Sequence, residues 1–459
     1  MRRPEAPCPS RSGSWRRRET ELTAPRSPPG RVQVLGGQRL EGHVAIGGAK
    51  NSALCVLAAA LLSEGEVVLN RVPTALRDVG QLGAVLESVG ARVTVAGDRV
   101  AVDPGALTAT EPDRRAVRAL RASILVLGPL LARCGAASVA LPGGCNIGAR
   151  PIDLHVRGLE ALGATVAVED GFVRARVAGR LRGARIYLDF PSVGATETIM
   201  MAAALAEGET VIENVAQEPE IKDLADFLNA MGARVRGAGS HCIAIEGVAR
   251  LRGTEFTVIP DRIEAGTFLA AAAITRSELT VGPVVPQHLS SMVSKLESVG
   301  CEFALEAPQR LKILPSPRLV ATDITTLPYP GFPTDMQPQF MALMACAEGA
   351  SAFRETVFEN RLQHAFELGK MGADIKCMGS AATVLGKPRV NGRLSGLYGA
   401  DVTATDLRAG AALCLAGLAA EGVTTVRAIE QLDRGYEGFD AKLRSLGAQV
   451  LRRKESDAM

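Results

Sequence analysis

Leu86-Glu-Ser-Val-Gly-Ala-Arg-Val93 is the stretch that decides the fold, because its pattern recurs five times along the chain. Apolar residues three or four apart before a glycine are typical of the end of an amphipathic helix, with the glycine in the left-handed conformation. The alternating residues after the glycine predict a strand. Consecutive glycines lie 68 to 75 residues apart. The other copies are LEALGATV (159–166), LNAMGARV (228–235), LESVGCEF (296–303), LGKMGADI (368–375) and LRSLGAQV (443–450).

A second helix, rich in Ala and Leu, is predicted upstream in each unit, followed by a turn and a β-rich run. Each unit then reads helix, strand, helix, strands over about 70 residues, which exceeds the usual period of solenoid repeats. Three units make a lobe of normal domain size. We therefore expect an α/β protein of two lobes, with junctions near 47–51 and 258–262. Examples of the Ala-rich segments are SALCVLAAALLSEG (52–65), TIMMAAALAEG (198–208), FMALMACAEG (340–349) and AALCLAGLAAEG (411–422).

The composition is that of a globular protein, with 459 residues, 47% hydrophobic and 22% charged. Residues 1–30 hold seven Arg and three Glu, so the net charge of +3 lies in this Pro-rich segment. The other residues carry 45 basic and 46 acidic side chains. This distribution of charge predicts a disordered basic tail over 1–30 and argues against nucleic-acid binding by the folded part.

No stretch is long and apolar enough to predict a membrane span, and the N-terminus has no secretory signal. Nine cysteines are scattered without a C-x-x-C pair, so neither disulfides nor a zinc site is expected. We expect a cytoplasmic monomer that binds no metal, no nucleic acid and no membrane.

Positively charged side chains lie at the predicted starts of several Ala-rich helices. Lys50, Arg121, Arg262 and Arg408 lie at or beside predicted helix starts. A helix N-terminus already carries partial positive charge, so a cation there is unfavourable unless an anion binds. Their recurrence in one slot of the repeat predicts a site for anions in a shared cleft.

A Gly-rich segment at 141–155 presents Cys145 beside Arg150, which is typical of a mobile lid that carries a reactive thiol. Asp335 opens a predicted helix, where capping and catalysis are equally compatible with the sequence. Asp153 and Glu218 are open to the same two interpretations. Further guanidinium groups suited to carboxylate or phosphate stand at 361 and 434.

The motifs PGGCNIGARPIDLH (142–155), GGAKNSAL (47–54), FPSVGATE (190–197), PDRIEAGT (260–267), FPTDMQ (332–337), ETVFENR (355–361), ATDLRAG (404–410) and DRGYE (433–437) together resemble the UDP-N-acetylglucosamine 1-carboxyvinyltransferase family. The resemblance runs from about Val32 to Val450. It implies two inside-out α/β barrel lobes, each of three βαβαββ repeats, with the active site in the cleft between them. The first lobe would span 50–259 with the cysteine loop at 141–151, and the second 31–49 plus 260–459.

The implied reaction moves enolpyruvyl from phosphoenolpyruvate to the 3′-hydroxyl of UDP-N-acetylglucosamine and releases phosphate, the first committed step of peptidoglycan synthesis. It needs no metal or organic cofactor. Cysteine at position 145 corresponds to the fosfomycin-sensitive pattern of the family.

The resemblance also assigns residues to roles. Cys145 would be the general acid and Asp335 the base. The residues at the phosphoenolpyruvate site would be Lys50, Asn51, Arg150, Arg361, Arg408 and Arg434. The sugar nucleotide would contact Arg121, Arg150, Pro151, Ile152, Asp153, Leu154, Phe190, Pro191, Ser192, Val193, Asp335 and Val357.

Two other functions compete. The shikimate-pathway enolpyruvyl transferase shares the fold, but it lacks the cysteine loop and opens with Ser-Lys-Ser where this chain has Ala-Lys-Asn. A noncatalytic relative that binds the sugar nucleotide is disfavoured by the retained Lys50, Cys145, Asp335 and Arg434. One departure from the family is Phe190, where some members carry Lys, so the contact there is backbone or packing.

Overall fold

The computed structural model describes residues 30–141, 147–148, 151–388 and 395–454. The expected disordered tail lies outside these residues except at its last position. Gly30 is the first residue of strand β1 and pairs with Lys454, so the predicted boundary was one residue too late.

Strands and helices alternate throughout the described residues. The strands are β1 Gly30–Leu35, β2 His43–Ala45, β3 Val67–Asn70, β4 Arg92–Ala96, β5 Arg99–Asp103, β6 Ala136–Ala140, β7 Thr165–Glu169, β8 Phe172–Arg176, β9 Arg185–Tyr187, β10 Glu209–Glu213, β11 Arg234–Arg236, β12 Cys242–Glu246, β13 Glu255–Thr257, β14 Leu279–Gly282, β15 Glu302–Ala307, β16 Arg310–Leu314, β17 Ile324–Thr325, β18 Ala350–Arg354, β19 Asp374–Met378, β20 Ala381–Leu385, β21 Asp401–Thr403, β22 Val423–Arg427 and β23 Val450–Lys454.

The helices are α1 Lys50–Ala59, α2 Arg77–Ser88, α3 Arg114–Ala119, α4 Leu127–Cys134, α5 Asp153–Ala161, α6 Val193–Ala203, α7 Pro219–Ala230, α8 Arg262–Thr275, α9 Ser290–Val299, α10 Gln337–Met344, α11 His364–Lys370, α12 Leu407–Ala419 and α13 Phe439–Ser445.

The repeat glycines end helices as the sequence predicts. All six have positive φ, between +87° and +105°, and a strand begins within three residues of each. A residue with a Cβ is strained in this region, which explains why glycine occupies the position in every copy.

Each repeat contributes one sheet. In the described residues, five of the six sheets consist of a parallel pair of strands extended by two antiparallel strands on one side, and the sheet β6-β8-β7 is antiparallel throughout. In the described residues the strand orders are β13-β3-β5-β4, β6-β8-β7, β11-β12-β10-β9, β15-β16-β14-β2, β17-β18-β20-β19 and β21-β22-β1-β23.

The Ala-rich helices form the centres of two hydrophobic cores. All fourteen residues of α8 are buried, as expected for a helix without a polar face. The sheets cover the helices and face solvent on the other side: in β20, Ala382 and Val384 are buried, whereas Thr383 and Leu385 are exposed. Helices inside and sheets outside make this an inside-out α/β fold.

Two segments, 47–49 and 259–261, connect the two cores and place the first residues of helices α1 and α8 side by side. The backbone N–H of Ala49 donates to the carbonyl of Ile259 over 2.7 Å, and that of Asp261 donates to Gly47 over 2.9 Å. Strand β2 pairs with β14, and β13 pairs with β3, so each crossing segment adds a strand to the sheets on the other side. This exchange brings the start of the chain to the C-terminal core.

Two substitutions separate backbone strain from steric clash at the repeat glycines. Gly163→Ala should lower the free energy of unfolding by about 1 kcal/mol, because its Cβ would meet no atom within 4 Å. Gly90→Ala should lower it further, because its Cβ would lie 2.6 Å from the Thr108 hydroxyl. Urea unfolding measures both, and equal losses would contradict the steric contribution.

Candidate active site

Lys50, Asp78 and Arg434 form a buried ion cluster, called here the Asp78 cluster. Lys50 begins α1, Asp78 lies in the first turn of α2, and Arg434 ends a 3-10 turn before α13. Lys50 Nζ is 2.6 Å from one oxygen of Asp78, and Arg434 Nε donates to the other over 3.0 Å. The cluster therefore joins both helices of the first repeat to the last repeat.

Charge and burial oppose each other in this cluster. Burial on its own would raise the pKa of Asp78, but Lys50 and Arg434 hold it below its usual range. The pKa of Lys50 is lowered, first by burial and then by the charges of Arg408 and Arg434, although Asp78 acts in the opposite direction. Burial is thus the main cause of the lowered pKa of Lys50, and Asp78 opposes it.

Arg361, Asp335 and Arg408 form a second group, the Asp335 cluster. Arg361 Nη2 lies 2.8 Å from one carboxylate oxygen of Asp335, and Arg408 Nη2 lies 3.0 Å from the other. Both arginine side chains are 1% exposed, whereas that of Asp335 is 26% exposed. The carboxylate of Asp406 caps α12 by accepting the N–H groups of Arg408 and Ala409.

The two arginines decide the protonation of Asp335. Burial would raise the pKa of its carboxyl group, but Arg361 and Arg408 hold the pKa far below its usual range. In this arrangement Asp335 is ionised and weakly basic.

The two clusters belong to one site. Arg408 lowers the pKa of Lys50, and its Nη1 donates to the carbonyl of Gly435, next to Arg434, over 3.5 Å. Together the clusters hold four cations and two carboxylates, so these carboxylates leave an excess of positive charge. An anionic substrate fits this excess.

Asp153 and Ser192 lie at the starts of α5 and α6, next to other residues that are predicted to contact the sugar nucleotide. Asp153 is in the first turn of α5, and the hydroxyl of Ser192 caps α6 by accepting the N–H of Ala195. His155 Nδ1 lies 2.9 Å from Thr198 Oγ1, which joins α5 to α6. Burial and then Arg121 lower the pKa of His155 to about 4, so the ring is neutral near pH 7.

Exposure differs among the remaining predicted residues. Asn51 and Pro151 are exposed, and Phe190 is 45% exposed, which makes its ring available to a ligand. Partial burial is shared by Ile152, Leu154, Pro191, Val193 and Val357. Cys145 and Arg150 lie outside the described residues.

Known proteins are similar to this chain over nearly all of its length. The family model of EPSP synthase (3-phosphoshikimate 1-carboxyvinyltransferase) matches residues 34–443. A Gloeobacter violaceus protein named UDP-N-acetylglucosamine 1-carboxyvinyltransferase is 56% identical over 92% of this chain and 90% of its own. Relatives of the same name from Nostoc and Synechocystis are 53% and 54% identical over 93% and 92% of this chain, and 94% and 95% of their own. This chain belongs to the UDP-N-acetylglucosamine 1-carboxyvinyltransferase family.

Solved structures place the family member in the expected fold. The enolpyruvyl transferase NikO from Streptomyces tendae superposes with a TM-score of 0.81 at 26% identity, covering 93% of this chain and 99% of its own. EPSP synthase from Acinetobacter baumannii gives a TM-score of 0.71 at 19% identity, covering 92% of this chain and 100% of its own. The second match shows the fold alone.

One cation at a helix start has a different role from the one the sequence predicted. Arg262 of this family member is buried against Glu220, with Nε to Oε1 at 3.1 Å, and lies over the ring of Tyr329. Glu218 precedes α7 without capping it, and accepts the N–H of Tyr329 over 3.3 Å. The anions that compensate Lys50, Arg262 and Arg408 are therefore carboxylates of the protein itself.

Sequence reasoning missed Asp78. The available signal was a carboxylate in the first turn of the second helix of repeat 1, a position that looks like ordinary compensation of the helix dipole. Only the packing of α2 against α1 and the 3-10 turn before Gly435 brings it to Lys50 and Arg434. In the part of the chain described, no group of three or more His, Cys, Asp or Glu side chains is arranged to hold a metal ion, and no helix is long and apolar enough to span a membrane.

Removing the charge of Asp78 tests this cluster. Asp78→Asn should lower the free energy of unfolding by about 3 kcal/mol at pH 7, because Lys50 and Arg434 lose their buried counter-charge. The folded-state pKa of Asp78 is depressed. The contribution of Asp78 to the free energy of unfolding is therefore fully present above about pH 4, the pKa of an unfolded Asp, and is lost as the pH falls through the lower folded-state pKa. Urea unfolding of both proteins at pH 7 and pH 3 should show the difference narrowing at pH 3. A constant difference would contradict the ionised pair.

Proposed function

We propose that this protein transfers enolpyruvyl from phosphoenolpyruvate to the 3′-hydroxyl of UDP-N-acetylglucosamine and releases phosphate. The observation that carries the proposal is the single site formed by the Asp78 and Asp335 clusters, in a chain 56% identical to an enzyme of that name. A small polyanionic substrate with a phosphate at one end and a carboxylate at the other matches two adjacent cationic clusters.

The two ends of phosphoenolpyruvate would take separate clusters. Lys50 and Arg434, joined by Arg150 of the glycine-rich segment, would hold the phosphate, with Asn51 beside Lys50. Arg361 and Arg408 would hold the carboxylate. Burial favours this division, because both arginines of the Asp335 cluster are 1% exposed and present a fixed pair of guanidinium groups.

Substrate binding would activate the base. Both oxygens of Asp335 are engaged by Arg361 and Arg408, and the substrate carboxylate competes for the same guanidinium groups. As the substrate carboxylate offsets part of the positive charge of the two arginines, the pKa of Asp335 would rise toward its ordinary range and the group would become a competent acceptor for the proton of the 3′-hydroxyl. The base would therefore become competent only when phosphoenolpyruvate is bound.

The proposed reaction is an addition followed by an elimination. Cys145 would give a proton to the methylene carbon of phosphoenolpyruvate while the 3′-oxygen bonds to the neighbouring carbon and loses its proton to Asp335. The Cys145 thiolate would then take a proton from the new methyl group as phosphate departs, which restores the double bond and the thiol, and Asp335 would lose its proton to solvent. Fixed cations near the leaving phosphate stabilise its charge.

The sugar nucleotide would lie along the entrances of α5 and α6. Partly exposed side chains and helix N-termini suit a diphosphate and a uridine. The residues proposed for this surface are Arg121, Arg150, Pro151, Ile152, Asp153, Leu154, Phe190, Pro191, Ser192, Val193, Asp335 and Val357.

We further propose that 50–259 and 31–49 plus 260–459 act as two lobes that close on the substrates. The pairing of β2 with β14 and of β13 with β3 supports this division. A role in peptidoglycan synthesis follows from the product, and a cytoplasmic monomer is consistent with seven described cysteines that are all free. Mass measurement in solution tests the monomer.

Phosphate release distinguishes the proposed function from its closest rival. With phosphoenolpyruvate present, UDP-N-acetylglucosamine should support release of phosphate, whereas shikimate 3-phosphate should not. Release with shikimate 3-phosphate would assign the chain to the other reaction. Tight binding of the nucleotide without release would indicate a noncatalytic relative.

Replacing the proposed base should separate chemistry from binding. Asp335→Asn should lower kcat by about 10²- to 10⁴-fold, because the amide cannot accept the hydroxyl proton. Calorimetry should still detect binding of UDP-N-acetylglucosamine. Asp323→Asn is a surface control, because Asp323 is exposed and its carboxylate accepts the backbone N–H of Ala352 in strand β18. Wild-type kcat in Asp335→Asn would remove it as the base.

A further inference from the structure

Glu355 is a buried carboxylate that the motif ETVFENR contains but the proposed chemistry does not use. It follows β18 directly and is 3% exposed. Oε1 accepts the hydroxyl of Thr326 over 2.8 Å and the backbone N–H groups of Val357 and Phe358 over 2.9 and 3.2 Å. Oε2 accepts the hydroxyl of Thr334 over 2.9 Å.

This carboxylate therefore joins three segments that are distant in sequence. Thr326 follows β17, Thr334 opens the 3-10 turn Thr334–Met336, and Val357 lies in the loop before α11. A second link ties two of these segments, since the N–H of Thr356 donates to the Thr326 hydroxyl over 2.9 Å. A buried carboxylate is expensive unless donors satisfy both oxygens, and four donors satisfy this one.

The link reaches the Asp335 cluster through one hydroxyl group. Thr334 Oγ1 gives its only proton to Glu355, so it can act only as an acceptor toward other groups. Arg361 Nη1 donates to this oxygen over 3.0 Å, while Nη2 of the same guanidinium holds Asp335. Glu355 thus fixes the direction of the Thr334 hydroxyl, and the hydroxyl fixes the orientation of Arg361.

Glu355 also reaches the proposed nucleotide surface. Its Oε1 holds the backbone at Val357, one of the residues assigned to the sugar nucleotide, while Oε2 holds the turn that contains Asp335. An isolated turn would need only the two N–H contacts at Val357 and Phe358. The additional contacts to Thr326 and Thr334 have no role in that turn.

We propose that Glu355 is a positioning residue that couples the nucleotide-contacting loop at Val357 to the orientation of Arg361, and through Arg361 to the basicity of Asp335. The proposal rests on the proposed function for the identity of the reaction. It does not require Glu355 to touch either substrate.

The test uses Glu355→Gln in the full-length protein. A glutamine amide placed at Oε2 would donate to Thr334 and make its hydroxyl proton point elsewhere, which weakens the bond from Arg361. We expect kcat to fall at least tenfold, because a misdirected Arg361 no longer aligns the phosphoenolpyruvate carboxylate with Asp335, and the KM for phosphoenolpyruvate to change less, because Arg408 still holds that carboxylate. The acid limb of the pH profile of kcat/KM should move to higher pH, because a loosened Arg361 lowers the pKa of Asp335 less.

Two variants at Thr334 isolate the hydroxyl link. Thr334→Val removes it and should reproduce the loss in kcat and the shift of the pH profile. Thr334→Ser retains the hydroxyl and should restore both toward wild type. These variants also keep the test informative if Glu355→Gln folds poorly.

Asp440→Asn is the matched control. Asp440 is 6% exposed and pairs with Arg444 and Arg452, which belong to neither cluster. We expect it to lower the urea midpoint while leaving the pH profile unchanged. If Glu355→Gln and Thr334→Val behave like this control, with a lower midpoint but an unchanged profile, Glu355 is only structural and the proposal is overturned.

A measurement without turnover separates the two proposals. Carbon-13 NMR titration of the Asp335 carboxyl should give a higher pKa in Glu355→Gln and Thr334→Val than in wild type and Asp440→Asn. The same pKa in all four proteins would overturn the coupling. Absence of phosphate release by the wild-type protein, with the pKa shift present, would instead reject the proposed function and leave the coupling standing.

Discussion

Buried positive charge at the starts of the central helices is the constraint on which the site depends. Lys50 and Arg408 point into a region where the helix ends already carry partial positive charge, so each needs an anion. Asp78 and Asp335 supply those anions before any substrate is present. The site is therefore assembled as buried charge pairs rather than as a set of unpaired cations.

The scaffold makes this assembly possible because its helices are inside and its sheets outside. An Ala-rich helix such as α8 is buried along its whole length, so its N-terminus is fixed by packing on every side. The pairing of β2 with β14 and of β13 with β3 then places the first residues of α1 and α8 next to each other. Small residues along the helices permit this close approach, and the repeat glycines reverse the chain from helix to strand.

Fixed orientation distinguishes the Asp335 cluster from a simple collection of charges. Arg361 contacts Asp335 with one nitrogen and the Thr334 hydroxyl with another, so its plane is defined by two partners. Glu355 defines the direction of that hydroxyl. Electrostatic control of a base is sensitive to such geometry, because the pKa of a carboxyl group depends on the distance to each neighbouring charge. Under our proposal, Glu355 would thus influence Asp335 without touching a substrate.

The sequence by itself determined the repeat, the glycine-capped helix ends, the buried Ala-rich helices and the family, because these are local patterns of period and residue type. It also identified Lys50 and Arg408 as cations in unusual positions. Only the tertiary structure decided which anion each cation meets: Asp78 looked like ordinary helix compensation, and Arg262 proved to pair with Glu220. The physical reason is that a charge pair depends on distances of a few ångströms between segments far apart in the chain, and local periodicity carries no information about those distances.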